Sequence, residues 1–176
     1  TKDHEFICFH DFTLNRIFNK KDSVKNLNYS QIKKMGIQNK NPVPLLKDLL
    51  KTSKNKHPLF IEIKPIFSKP LLKKLLKETA KFSKCTFISF KHKNIYNLLK
   101  LKNNLKVGLS FAPPTSVKTI IKKSNNKKIN CLVMDKFYLK SKSIQDLKIK
   151  KYFYTVKTKL EFNKYNKNNN LIFENL

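Results

Sequence analysis

The run Leu59-Phe60-Ile61-Glu62-Ile63-Lys64 sets two charges into an otherwise apolar stretch. Strand side chains alternate between faces, so Leu59, Ile61 and Ile63 share one face while Phe60, Glu62 and Lys64 share the other. A charged pair at the carboxyl end of an apolar strand is costly unless the charges have partners. The chain has only 11 acidic residues, which makes an acid at this position informative. Phe6-Ile7-Cys8-Phe9-His10-Asp11 has the same form. There the expected strand ends in His10, on the face of Phe6 and Cys8. Ser89 ends a third such run, on the face of Phe87. In parallel α/β folds, ligand sites gather at the carboxyl ends of strands, so His10, Glu62 and Lys64 are expected to meet at one mouth. An imidazole can exchange protons, a carboxylate can hold a hard divalent cation, and an ammonium can neutralise phosphate charge. That set suits phosphoryl transfer or proton abstraction. An internal Glu62–Lys64 ion pair beside an ordinary loop histidine fits the spacing equally well.

Positioning these residues requires strands that alternate with helices. Strand-like runs fall at Glu5–His10, Leu59–Lys64, Cys85–Phe90, Lys106–Phe111, Ile129–Met134, Tyr152–Val156 and Leu171–Phe173. Helical patterns lie between them. One covers Tyr29–Met35, with Asn28 as N-cap and Gly36 as stop. Leu45, Leu46, Leu49 and Leu50 form a short stripe. Leu71, Leu72, Leu75, Leu76 and Thr79 recur at helical spacing after Ser68 and Pro70. Ile95, Leu98 and Leu99 follow, then Val117, Ile120 and Ile121 behind the expected cap Thr115, and a last helix near Leu160 and Phe162. No linker interrupts the pattern, so residues 1–176 are expected to form a single domain. Alternation at βα-unit spacing argues for a parallel sheet, open or closed into a barrel.

Composition removes several classes. With only Gly36 and Gly108 there is no glycine-rich phosphate loop, and neither a dinucleotide nor a P-loop fingerprint. No apolar run reaches membrane-spanning length. The net charge of +28 suggests polyanions, yet Arg16 is the only arginine among 39 basic residues. Specific nucleic-acid readers favour the planar arginine fork. The lysines are therefore expected on solvated helix faces, with no specific nucleic-acid partner. Cys8, Cys85 and Cys131 have no metal-ligand spacing and are expected as small buried thiols, which favours a cytoplasmic location. His4, His57 and His92 are expected at the surface.

Several segments together resemble the glycerophosphodiester phosphodiesterase family. Thr1-Lys2-Asp3 leading to Phe9-His10-Asp11-Phe12-Thr13-Leu14-Asn15-Arg16 is similar to its "T-x-D-G-x-x-V-x-x-H-D-x-T-L-x-R" segment. Val43-Pro44-Leu45-Leu46-Lys47-Asp48-Leu49-Leu50 is similar to its "I-P-x-L-x-E-x-L" helix, and Ile61-Glu62-Ile63-Lys64 to its E-I-K strand. Ser89-Phe90 matches a Ser-Phe strand end, and Tyr154-Thr155-Val156-Lys157 resembles Trp-Thr-Val-Asn. The resemblance implies a (β/α)8 TIM-type barrel that uses a divalent cation, Mg2+ or Ca2+, to hydrolyse glycerophosphodiesters to glycerol 3-phosphate and an alcohol. It implies acid–base catalysis by His10, a phosphate contact from Lys64, metal ligation by Glu62, and substrate contacts from Ser89, Phe90 and Tyr154. The family's His-Arg-Gly and Glu-x-Asp strands would precede Thr1. The barrel is therefore expected to be incomplete, lacking its first two strands, and the 176-residue chain alone to be inactive and unstable. Seven runs plus two exceed eight strands, so one middle run is expected not to be a barrel strand. Competing expectations are a phospholipase D-like barrel acting on lysophospholipids, and a lysine-rich polyanion-binding module.

Overall fold

In the computed structural model, which describes residues 1–165 and 167–174, six of the seven runs form strands. They are β1 (Leu59–Glu62), β2 (Cys85–Ser89), β3 (Val107–Phe111), β4 (Cys131–Asp135), β5 (Lys150–Val156) and β6 (Asn170–Phe173). The helices are α1 (Asn15–Phe18), α2 (Tyr29–Gln38), α3 (Leu46–Ser53), α4 (Lys69–Thr79), α5 (His92–Leu101), α6 (Val117–Ser124), α7 (Lys142–Gln145) and α8 (Lys159–Tyr165). Each strand pairs in parallel with the next, in the order β1-β2-β3-β4-β5-β6. A helix lies between every pair of consecutive strands, α4 in the first crossover and α8 in the last. This is the repeating unit of a (β/α)8 barrel, and six such parallel strands are present among the described residues.

The chain divides into two compact units, Thr1–Pro58 with Lys73–Lys84, and Leu59–Leu72 with Cys85–Leu176. The second holds the sheet. Strand register sorts its side chains onto two faces. Ile63, Phe87, Leu109, Leu132, Met134 and Phe153 are buried on one. Helix α5 packs against β2 and β3 and buries Ile95, Leu98 and Leu99. The other face carries Phe60, Glu62, Ile88, Gly108, Cys131, Val133, Tyr152 and Tyr154, built on a buried cluster of Ile88, Cys131 and Val133. This second face is concave. Phe60 of β1 and Tyr152 of β5 are four strand spacings apart along the sheet, roughly 19 Å if it were flat. Their ring centroids are nevertheless 4.7 Å apart, so the sheet must curl around this side. Gly108 lets neighbouring strands close up there, since a Cβ would sit 2.6 Å from Cys131 Sγ and 3.0 Å from the Cys131 carbonyl.

The first unit is built on Leu14, Phe18, Ile32 and Val43, with Ile7, Phe9 and Met35 packed against them. Its first run departs from expectation. Glu5–His10 is extended but forms no strand of the sheet; Ile7 makes an isolated antiparallel bridge to Leu45. Cys8 N–H donates to the Pro44 carbonyl and Leu46 N–H to that of Phe6. Alternating side chains gave this segment a strand-like pattern, but its backbone bridges to a short loop rather than to a strand of the sheet. The spare run is thus the first, not a middle one. Helix α2 also runs past its expected stop. Gly36 is helical and buried, where a Cβ would lie 2.9 Å from the Asn41 carbonyl, so it permits a close approach rather than ending the helix. Asn28 does begin α2, its N–H bonded to Gln31 Oε1 at 2.9 Å. The cap of α6 is Ser116, not Thr115, and accepts from Thr119 N–H at 3.2 Å.

Candidate active site

Four of the six candidate residues lie around the concave face of the second unit. Glu62 ends β1 and Lys64 follows two residues later. Their side chains are largely buried and paired, Lys64 Nζ to Glu62 Oε1 at 3.2 Å. Phe90, just after β2, and Tyr154 of β5 meet edge to face, with centroids 5.8 Å apart and planes at 85°. Tyr154 donates its hydroxyl to the Phe111 carbonyl at 2.8 Å, which fixes its ring. Burial, then the carboxylates of Asp135 and Glu62, push the Tyr154 hydroxyl above its ordinary pKa, so it stays protonated. Ser89 is not brought to this face. Its side chain is fully buried on the other one, donating to the Ile63 carbonyl at 2.6 Å and accepting from Lys91 N–H and Asn94 Nδ2. Asn94 also donates to the Pro65 carbonyl at 2.8 Å. Together Ser89 and Asn94 clamp the backbone on both sides of Lys64.

His10 belongs to the first unit and lines a cleft of about 270 Å³ with Phe9, Arg16 and Asn41. Its side chain is 71% exposed, and Nδ1 lies 2.7 Å from Asp11 Oδ1. Asp11 also accepts from Arg16 Nε at 2.7 Å and Nη2 at 3.2 Å. The Arg16 guanidinium, followed by His10, holds the Asp11 carboxyl down to about 2. An ionised carboxylate can only accept, so Nδ1 of His10 carries the proton. In a neutral ring that leaves the basic lone pair on Nε2. A fixed tautomer of this kind is what a proton-transferring histidine requires.

The sequence pattern of the glycerophosphoryl diester phosphodiesterase family matches residues 1–170. The chain belongs to that family. Its enzyme class is therefore that of the glycerophosphodiester phosphodiesterases, hydrolases of phosphoric diesters. Solved structures agree on the fold. A glycerophosphodiester phosphodiesterase from Thermotoga maritima superimposes with a TM-score of 0.78 at 16% identity, covering 98% of this chain and 77% of that one. An Oleispira antarctica phosphodiesterase, solved with the product sn-glycerol-3-phosphate, gives 0.79 at 16% identity over 98% and 76%. An enzyme from Parabacteroides distasonis gives 0.73 at 18% identity over 98% and 75%. No curated protein matches the chain.

In this family member the described residues do not complete a cation site. No group of three or more His, Cys, Asp or Glu side chains comes together among them. A hard divalent cation needs six or more oxygens, of which water can supply several, and Glu62 offers only one protein ligand. Two residues near the site escaped the sequence reading. Asp135 ends β4 on the concave face, in register with Tyr154. It repeats the signal of Glu62, an acid closing an apolar strand, but lies one residue beyond the expected boundary at Met134. His92 is not the surface residue expected. Nε2 donates to the Ser110 carbonyl at 2.9 Å while Lys123 Nζ donates to Nδ1 at 2.8 Å, and burial lowers the pKa of the ring. Nothing in its immediate sequence signals that packing. Among the described residues, no helix is long and apolar enough to cross a membrane.

Proposed function

We propose that the protein hydrolyses glycerophosphodiesters to glycerol 3-phosphate and an alcohol, with His10 exchanging protons and Lys64 neutralising phosphate charge. Water adds to phosphorus as the bond to the alcohol oxygen breaks. One proton leaves the attacking water and one reaches the departing oxygen, and Nε2 of His10 serves one of these transfers. Asp11 keeps that nitrogen basic by holding the proton on Nδ1. Lys64 stabilises charge as it builds on the phosphoryl oxygens. Ser89 acts through Lys64, by fixing the backbone that presents it. Phe90 and Tyr154 line the substrate pocket.

Glu62 is proposed as one ligand of a divalent cation, Mg2+ or Ca2+, which when bound would polarise the phosphoryl group. The observation that carries the reading is the Glu62–Lys64 pair, standing at the carboxyl end of β1 on a concave face in a chain matched to the family over residues 1–170. His10 lies in the other unit, and support for its joint action with Lys64 comes from the family pattern spanning both.

Release of glycerol 3-phosphate by the full-length protein tests the proposal. Turnover should fall by about 100-fold or more in His10→Ala and in Lys64→Met, and chelation should abolish it until Mg2+ or Ca2+ is restored. Absence of turnover, or a His10→Ala variant as active as the parent, rejects the reading.

A further inference from the structure

We propose that the segments at the carboxyl ends of the strands in the second unit dock this protein on an anionic phospholipid bilayer. The inference does not depend on which ester is hydrolysed. In a parallel sheet every strand ends on the same side, so the segments that follow the strands share one end of the unit. Among the described residues, the large apolar side chains of this unit that stand exposed are Phe60, Ile66, Phe90, Phe137, Leu160 and Phe173. All but Phe60 lie at or just after a carboxyl end: Ile66 after β1, Phe90 after β2, Phe137 after β4, Leu160 after β5 and Phe173 closing β6. The opposite end differs. Residues 102–106, 125–130 and 146–149 lead into β3, β4 and β5, and their apolar members Leu105, Ile129, Leu147 and Ile149 are buried or half-buried. Single exposed apolar residues are ordinary, but their gathering at one end of a unit marks an interaction surface.

The two most exposed tips are held together. Phe137 is 68% exposed and Leu160 81%, and the ion pair of Lys136 with Glu161 ties their sequence neighbours to each other. Phe137 is also presented rigidly. Its N–H donates to Asp135 Oδ1 at 2.7 Å. Its ring stands edge to face with that of Tyr138, centroids 5.3 Å apart, and the Tyr138 hydroxyl donates to the Thr115 carbonyl at 2.7 Å. Phe137 lines a cleft of about 510 Å³ together with Val117, Tyr138, Tyr165 and Lys140. Apolar walls with an ammonium beside them suit the upper acyl chain and the phosphate of a phospholipid. Charge names the kind of surface. Lys91, Lys93, Lys140, Lys157 and Lys159 are exposed among the apolar tips, and lysines beside a membrane are drawn to anionic lipid. Lysines also crowd the opposite end, at residues 102, 106, 127, 128 and 148. Charge therefore attracts the chain, and the apolar tips decide which end enters the interface.

Flotation of the full-length protein with phosphatidylcholine vesicles, made with and without phosphatidylglycerol, tests the surface at physiological salt. The protein should float with the anionic vesicles and not with phosphatidylcholine alone. The double variant Phe137→Ser with Leu160→Ser should partition about fivefold or more weakly, while the melting temperature holds because both side chains are exposed. Lys127→Ser with Lys128→Ser, at the opposite end and beyond the reach of screened charge, should change partitioning by less than about twofold. Phe137→Trp places an indole at the tip, and its emission, read as the difference from the parent protein, should move to the blue as anionic vesicles are added. Failure to float, equal flotation with both kinds of vesicle, or flotation that the double apolar variant leaves unchanged overturns the proposal. A larger loss in the lysine variant than in the apolar one, or an indole whose emission stays that of water, overturns it too.

Discussion

Asp11 shows how much depends on a single neighbour. Its carboxyl lies below the usual value because Arg16 and then His10 bond to the ionised form. A depressed folded-state pKa means that Asp11 contributes stability above its unfolded value of 3.8, and that this is lost as pH falls towards 2. Arg16→Ala should therefore raise the Asp11 pKa towards 3.8, seen by carboxyl-detected NMR titration. It should also destabilise the protein at pH 7 but hardly at pH 2. An unmoved Asp11 titration would contradict the pairing. Burial pushes the Cys131 thiol up to about 11, so little of it is thiolate at pH 8. It should resist alkylation until the protein unfolds, as mass spectrometry of labelled peptides would show. At this scale the sequence was readable wherever alternation alone decided. Glu62 and Lys64 were placed together on one face, and Ser89 on the face of Phe87. What alternation could not say is which face the sheet curls around, and so which of these residues meets a ligand.

At the level of elements, the apolar periods located all six strands and every long helix, while the ends and one identity went astray. Glu5–His10 reads as a strand because Phe6, Cys8 and His10 alternate with Ile7 and Phe9. A strand exists only through its neighbours, however, and this segment's partner is the loop at Pro44–Leu46. Gly36 was read as a helix stop from composition, whereas its packing against Asn41–Val43 is a tertiary contact no local pattern announces. Gly108 gives an element-scale prediction. In Gly108→Ala the new methyl would press on the Cys131 carbonyl and sulfur and on Ile88 Cγ2. Overpacking of this kind costs about 1–3 kcal/mol. Denaturant melts should show that loss, and a change within about 0.5 kcal/mol would mean the strands can spread at no cost.

For the whole molecule, the alternation of strands and helices carried the parallel sheet, and the family resemblance carried the barrel. Much of the lysine excess lies on helix faces. Helices α4 and α6 bury Leu72, Leu75 and Ile120 while exposing Lys73, Lys77, Lys118 and Lys122, the distribution expected of solvated faces. Within the six-stranded sheet, β1 and β6 are each paired on one side only. Unpaired edges invite association between chains, so the 176-residue chain is expected to self-associate in sedimentation analysis. A monomer with one sharp, cooperative melt would contradict that. The central proposal, carried by the family pattern over residues 1–170, is that His10 and Lys64 serve the same phosphodiester hydrolysis. Titrating glycerol 3-phosphate into the isotopically labelled full-length protein, while following the His10 ring nitrogens and Lys64 Nζ together by NMR, tests it most directly. Both signals should move and saturate at the same ligand concentration; a titration that shifts only one of them, or neither, contradicts the account.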